Sequence, residues 1–190
     1  MKMKYRFLKR SLDLLSAVAA IPIFGPVFFF ATLAILIDDR GPVFFVQWRI
    51  GRRGVPFRVY KFRTMRGGVV TRVGRALRAT GLDELPQYLN IVRGEMSVVG
   101  PRPLTQEDVD RLGWTHGAVM ARWFVKPGLT GLAQINSGAG AERSRELDID
   151  YIKRKSLKLD AEIIAVSFVM NVVGKRRAKN FLAEKIRRIS

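Results

Sequence analysis

The sequence predicts an α+β protein, mostly helical with a small antiparallel β-hairpin and held to a membrane by its N-terminal segment. Three observations predict it. Near the N-terminus 24 consecutive residues carry no charge, two short β-rich runs flank a glycine-containing loop, and long stretches place apolar residues three and four apart. The 190 residues include 34 Lys+Arg against 16 Asp+Glu, a net charge of +18, with 48% hydrophobic residues. That is too apolar for a disordered basic tail, and the charge calls for an anionic partner. With no Cys and one His, disulfide frameworks, Cys nucleophiles and zinc sites built from Cys or several His are excluded. Any metal must be held by oxygen.

The uncharged run covers residues 14–37. As a straight helix at about 1.5 Å per residue it would measure about 36 Å, enough to cross a hydrocarbon core of about 30 Å. It exceeds the apolar region of about 7–15 residues in a cleaved signal peptide, and Asp38-Asp39-Arg40 follow it in place of a small-residue cleavage site. The segment is therefore read as retained. Residues 1–37 form a membrane helix and residues 38–190 one membrane-associated cytoplasmic domain. Pro22 and Pro26, with Gly25 between them, predict a bend near the middle. The flanks carry the same sign, +4 over residues 1–13 and +14 over residues 38–190, which favours the cytoplasm for both. A helix that enters, breaks at Gly25-Pro26 and returns satisfies both flanks; an ordinary kinked transmembrane helix is the competing reading.

Beyond the membrane segment, runs over residues 42–49 and 55–63 read as strands of a hairpin. The second alternates, placing Phe57, Val59, Lys61 and Arg63 on one face, with Lys61 and Arg63 roughly 7 Å apart at about 3.3 Å per residue. Residues 72–92 read as helical with a break near Thr80-Gly81, a further helix is expected over about residues 105–124, and residues 142–189 are mostly helical. Within the last stretch, residues 163–173 are apolar enough to lie on a membrane. Lys175, Arg176, Arg177, Lys179, Lys185, Arg187 and Arg188 would then meet anionic head groups, making interfacial amphipathic helices. A core helix followed by a solvated basic tail is the plainer alternative.

The chemistry concentrates in Leu82-Asp83-Glu84-Leu85, two adjacent carboxylates just after the expected break. Acid pairs bind Mg²⁺, and an Asp can attack phosphorus to form an acyl-phosphate. A capping box with Thr80 as N-cap and Asp83 three residues on accounts for the same residues structurally. The readings are compatible, because a helix N-terminus also holds phosphate. Arg49, Arg52, Arg53, Arg58, Lys61, Arg63, Arg66, Arg75 and Arg78 form a field suited to a pyrophosphate whose charge grows in the transition state. Two loops are expected to complete the site. Val99-Gly100-Pro101-Arg102-Pro103 presents Arg102, and the loop from Lys126 to Gln134 contributes Thr130, Gln134 and glycines that permit close backbone approach. His116 reads as a surface residue, and Trp48, Trp114 and Trp123 as packing or interface residues.

Tyr60-Lys61-Phe62-Arg63-Thr64-Met65, Leu82-Asp83-Glu84-Leu85-Pro86-Gln87, the segment from Gly94 to Pro103, and Lys126-Pro127-Gly128-Leu129-Thr130-Gly131 follow one another as in a known family. In these motifs the chain resembles the bacterial sugar transferases called monotopic phosphoglycosyl transferases, and in particular the small members that consist of the catalytic unit. The resemblance implies transfer of a sugar 1-phosphate from a UDP-sugar to undecaprenyl phosphate at the cytoplasmic face of the bacterial inner membrane, beginning a surface glycan. It implies Asp83 as covalent nucleophile, Glu84 beside it organising Mg²⁺, and Lys61, Arg78 and Arg102 as phosphate-contacting cations. Asp148 matches a downstream acidic site position. A re-entrant N-terminal helix broken at a Ser-Pro pair is also implied, with partners limited to UDP-sugar, polyprenyl phosphate, anionic phospholipid and an optional homodimer, and no nucleic acid. The chain departs from the pattern at Gly25 for Ser, Lys126 for Arg, Leu132 for Trp, and Asn136-Ser137-Gly138 for Asn-Gly-Arg. The alternative from charge alone is a non-catalytic membrane-anchored protein binding nucleic acid or anionic lipid.

Overall fold

The computed structural model describes residues 2–136 and 140–189; of the departures noted above, Ser137 and Gly138 lie outside them. It is mostly helical, with three two-stranded sheets and one long apolar N-terminal helix, α1 (Lys2–Asp39). The expected interruption at Gly25-Pro26 does not divide it: both prolines lie inside one helical element. Each proline removes only its own N–H bond, and neighbouring turns continue the ladder. The boundary expected at 37/38 therefore falls in the last turn of α1.

One stripe of α1 is covered throughout its length. Asp13, Ala17, Ala20, Ala31 and Ile35 are buried, and Phe24 and Phe28 half-buried, at steps of three and four, as expected of one helical face. The rest exposes Leu15, Val18, Ile21, Ile23, Phe29, Phe30, Leu33 and Ile37. Polar contacts fix the early turns: Tyr5 Oη and Lys9 Nζ donate to Asp160, Arg10 donates to the carbonyls of Ile91 and Val92, and Asp13 accepts from Ser97 Oγ and the Val98 amide. At the other end Asp38 accepts from the Val73 amide.

The hairpin forms as expected, with β1 (Phe44–Ile50) antiparallel to β2 (Pro56–Phe62) and Phe45 opposite Lys61. A short pair, β3 (Met65–Arg66) and β4 (Val69–Val70), leads into α2 (Arg72–Thr80), capped by Thr71. Thr80 is not an N-cap. Its hydroxyl donates back to the carbonyls of Ala76 and Leu77, and Gly81 takes the left-handed conformation (φ 71°) that ends α2. The capping-box reading therefore fails, and the acid pair instead begins a 3₁₀ segment, Leu82–Gln87, that leads into α3 (Tyr88–Arg93).

A parallel pair not foreseen from the sequence, β5 (Ser97–Val99) with β6 (Gly128–Thr130), joins the two glycine-containing loops. The Gly100 amide donates to the Thr130 carbonyl and the Gly128 amide to that of Pro101. A Cβ at Gly128 or Gly131 would collide with Gly100 backbone, so these glycines are required by close approach. The helix expected over 105–124 divides at Gly113 (φ 64°) into α4 (Gln106–Leu112) and a 3₁₀ segment, Gly117–Phe124. The C-terminal region is α5 (Leu132–Ile135), α6 (Gly140–Arg154), α7 (Leu157–Val173) and α8 (Lys175–Ile189). Helix α7 is two-sided: Leu159, Ile163, Val166 and Met170 enter the core, while Ile164, Phe168 and Val172 remain exposed.

Candidate functional site

A cavity of about 1030 Å³ opens between β2, the acid segment, the joined loops and the exposed face of α7. Its polar lining collects eight of the nine expected site residues, Lys61, Arg63, Arg78, Asp83, Glu84, Arg102, Thr130 and Gln134. Lys61 projects from β2 and its Nζ donates to Glu84 Oε1 at 2.6 Å, while Arg102 Nη1 lies 4.0 Å from the same oxygen. Glu84 thus bridges the hairpin and the Arg102 loop. Arg78 is oriented by donating from Nε to Thr64 Oγ1 at 2.8 Å. Arg63 does not continue the Lys61 strand face. It lies beyond the end of β2, with its guanidinium over Gly41, although it still lines the cavity.

Asp83 is half-buried, and burial foremost, then neighbouring Glu84, pushes its carboxyl above the ordinary carboxylate value; Lys61 and Arg78 pull the other way. A half-buried carboxylate beside cations that favour its ionised form suits attack on an electrophile that those cations also bind. Thr130 Oγ1 and Gln134 Oε1 are buried without a hydrogen-bond partner. Both line the cavity, so polar groups of a ligand would satisfy them. Sequence reasoning missed Ser167 and Asn171 of α7, which also line it. The signal was present: they are the two polar residues, four apart, in an otherwise apolar stretch.

Asp148 does not line the cavity. Helix α6 turns it inward with Leu147 and Tyr151, and its carboxylate faces Arg122 Nη2 at 3.3 Å, both side chains being buried. Arg122 lies over the rings of Trp114 and Trp123, at 4.9 and 5.0 Å, and donates from Nη2 to the Arg102 carbonyl at 2.7 Å. Arg49, paired with Asp108 at 3.5 Å, donates to the next loop carbonyl, that of Pro103. Asp148 is thus linked through Arg122 to the backbone that carries Arg102.

This arrangement makes a prediction. Asp148→Ala should cost about 3–5 kcal/mol of stability, because it leaves a buried guanidinium uncompensated. The double substitution Asp148→Leu, Arg122→Met should recover much of the thermal midpoint but not the turnover, since the Arg102 carbonyl still lacks its donor. Recovery of both would reduce the pair to packing. Burial pushes the Asp148 carboxyl up to about 6 against the opposing pull of Arg122. Folding therefore favours the protonated carboxyl below its ordinary value of 3.8, and that preference is lost as pH rises through about 6, above which the ionised group compensates Arg122. The charged pair that holds Arg102 has the opposite pH dependence.

Among the described residues no three His, Asp or Glu side chains group as a metal site. Adjacent Asp83 and Glu84 nevertheless fit Mg²⁺, which is commonly bound by one or two carboxylates together with substrate phosphates.

Residues 4–175 match the sequence profile described as bacterial sugar transferase. The chain is 40% identical over 179 residues to the UDP-N-acetylgalactosamine-undecaprenyl-phosphate N-acetylgalactosaminephosphotransferase of Aeromonas hydrophila, covering 84% of this chain and 42% of that protein. It is 42% identical over 177 residues to the UDP-glucose:undecaprenyl-phosphate glucose-1-phosphate transferase of Caulobacter vibrioides, covering 82% and 66%. With an uncharacterized sugar transferase of Bacillus subtilis it shares 37% identity, over 84% of this chain and 85% of that protein. The chain spans less than two thirds of the first two relatives, and most of the third.

Proposed function

The chain belongs to the bacterial sugar transferase family, and on that premise we propose that it transfers a sugar 1-phosphate from a UDP-sugar to undecaprenyl phosphate, releasing UMP and initiating a surface glycan. The observation that carries the proposal is the acid pair, set in one cavity with Lys61, Arg78 and Arg102. A pyrophosphate placed there meets a nucleophile and the cations that stabilise its developing charge.

In the proposed sequence an Asp83 carboxylate oxygen attacks the phosphorus bearing the sugar. The bond from that phosphorus to the bridging oxygen breaks, and UMP leaves with the electron pair. A phosphate oxygen of undecaprenyl phosphate then attacks the same phosphorus and regenerates the Asp83 carboxylate. Lys61 and Arg102 hold Glu84 and neutralise the diphosphate, and Lys61 and Arg78 favour the ionised form of Asp83. Thr130 and Gln134 offer hydrogen bonds to the nucleotide or sugar. Asp83 and Glu84 would hold Mg²⁺, which would supply further stabilisation of the charge that develops on the diphosphate. The direct test is UMP release in detergent with Mg²⁺ and undecaprenyl phosphate across a panel of UDP-sugars. Turnover with one of them supports the assignment; none with any would favour the non-catalytic binding protein.

The contacts of α1 support a membrane placement. Its first turns and its last turn both dock on the same domain, and a straight helix from Tyr5 to Asp38 would measure about 50 Å, longer than a hydrocarbon core. A spanning helix would put those ends on opposite sides of the bilayer. The proposed placement is therefore monotopic, with α1 re-entering the cytoplasmic face of the inner membrane and the basic exposed side chains of α8, such as Arg187 and Arg188, beside the head groups. The chain has no cysteine, so single cysteines at Lys4 and Arg187 should both resist a membrane-impermeant thiol reagent applied to intact cells. Labelling at Lys4→Cys would establish a crossing.

A further inference from the structure

We propose that the outer face of the hairpin, formed by Phe44, Val46, Trp48 and Tyr60 and rimmed by Arg58 and Arg93, is a second membrane-contact surface that lies in the head-group layer of an anionic bilayer. The inference rests on α1 being the membrane helix of this protein. Strand alternation separates two faces of β1: Phe45, Gln47 and Arg49 line the cavity, which sends Phe44, Val46 and Trp48 to the opposite side. Those three are exposed, Trp48 by 61%. At one end of this face Phe28 of α1 meets Phe62 at 4.7 Å and Phe44 at 5.8 Å between ring centroids.

That contact makes the face continuous with the apolar surface of α1, where Phe29, Phe30 and Leu33 are exposed. Helix α3 extends it. Asn90 pins α3 to β2 through the Tyr60 amide and the Arg58 carbonyl, Arg10 of α1 holds its last carbonyls, and Leu89 and Val92 are exposed.

The chemistry of the face selects its occupant. Arg58 lies over the Trp48 ring at 5.8 Å, and Arg93 over the Tyr60 ring at 5.2 Å while donating to its hydroxyl. Aromatic rings with a polar edge, each paired to a cation, match the boundary where acyl chains meet phosphates. Residues 41–66 contain seven Lys and Arg and no Asp or Glu. Two copies meeting through this face would oppose like charges, whereas anionic lipid complements them.

Trp48 also supplies the probe, because Trp114 is buried and Trp123 half-buried. The full chain reconstituted in phosphatidylcholine–phosphatidylglycerol vesicles should show Trp48 emission quenched by lipids brominated near the head group and shielded from aqueous acrylamide. Both effects should disappear in Trp48→Phe, and both should weaken in Arg58→Gln, Arg93→Gln. Trp48 emission that remains open to acrylamide while the protein stays on the vesicles would overturn the hairpin contact and leave the α1 assignment standing. Shielding that instead tracks protein concentration in detergent would assign the face to a second copy and likewise overturn it. Failure of the chain to bind vesicles would overturn both readings.

Discussion

Asp83→Asn should abolish UMP release, including the first turnover, without unfolding the protein. An amide is nearly the same size as a carboxylate, and Asp83 is only half-buried, so the fold loses little. Its oxygen, however, is a poor nucleophile toward phosphorus. Residual activity should lie at the level of the reaction without enzyme. Glu84→Gln should be severely impaired for a different reason: it keeps the nucleophile but loses the carboxylate that Lys61 and Arg102 converge upon. In the proposed scheme this side chain organises Mg²⁺, so raised Mg²⁺ or Mn²⁺ should restore part of the Glu84→Gln activity and none of that of Asp83→Asn. Single-turnover UMP measurements at several metal concentrations separate the two roles. Equal metal rescue of both variants would mean that Asp83 serves as a ligand.

Lys61→Met and Arg102→Ala should each lower kcat/KM at least about tenfold, about 1.4 kcal/mol of transition-state stabilisation. Lys61 is the larger expectation. Its ammonium holds Glu84 at 2.6 Å and also counters the tendency of Asp83 to take up a proton. Arginine at position 61 should recover only part of the loss, since its planar fork presents charge differently from a compact ammonium. Arg187→Ala is the control. It removes an exposed cation of α8 and should cost far less turnover than either site substitution. If the tail substitution proved as damaging as Arg102→Ala, the distinction between site and membrane cations would collapse.

The hairpin and the break at Gly81 were legible because each depends on local pattern, strand alternation and a left-handed glycine, whereas Lys61 and Arg102 were assigned to the acid pair through the resemblance to the sugar transferases. What was not legible depends on packing between distant segments. Thr80 and Asp83 have capping-box spacing, yet the Thr80 hydroxyl returns to its own helix once Gly81 terminates it. The β5–β6 pair is parallel and joins segments about thirty residues apart, which no local periodicity announces. Asp148 has the sequence context of a site residue, but the face of α6 it occupies points to Arg122 and the two indoles. Arg63 had the right alternation and lost it where β2 ends one residue earlier. Both prolines of α1 lie within one helical element, so they do not divide it in two.

The central claim is that Asp83 carries the phosphosugar. Enzyme incubated with its UDP-sugar and Mg²⁺, without undecaprenyl phosphate, should release one UMP per active site and then stop. Mass spectrometry of the proteolysed protein should place the added mass of the sugar phosphate on the peptide containing Asp83, and later addition of undecaprenyl phosphate should remove it. An unmodified Asp83 peptide, with UMP appearing only when the lipid phosphate is present, would contradict the account and indicate direct attack by the lipid phosphate.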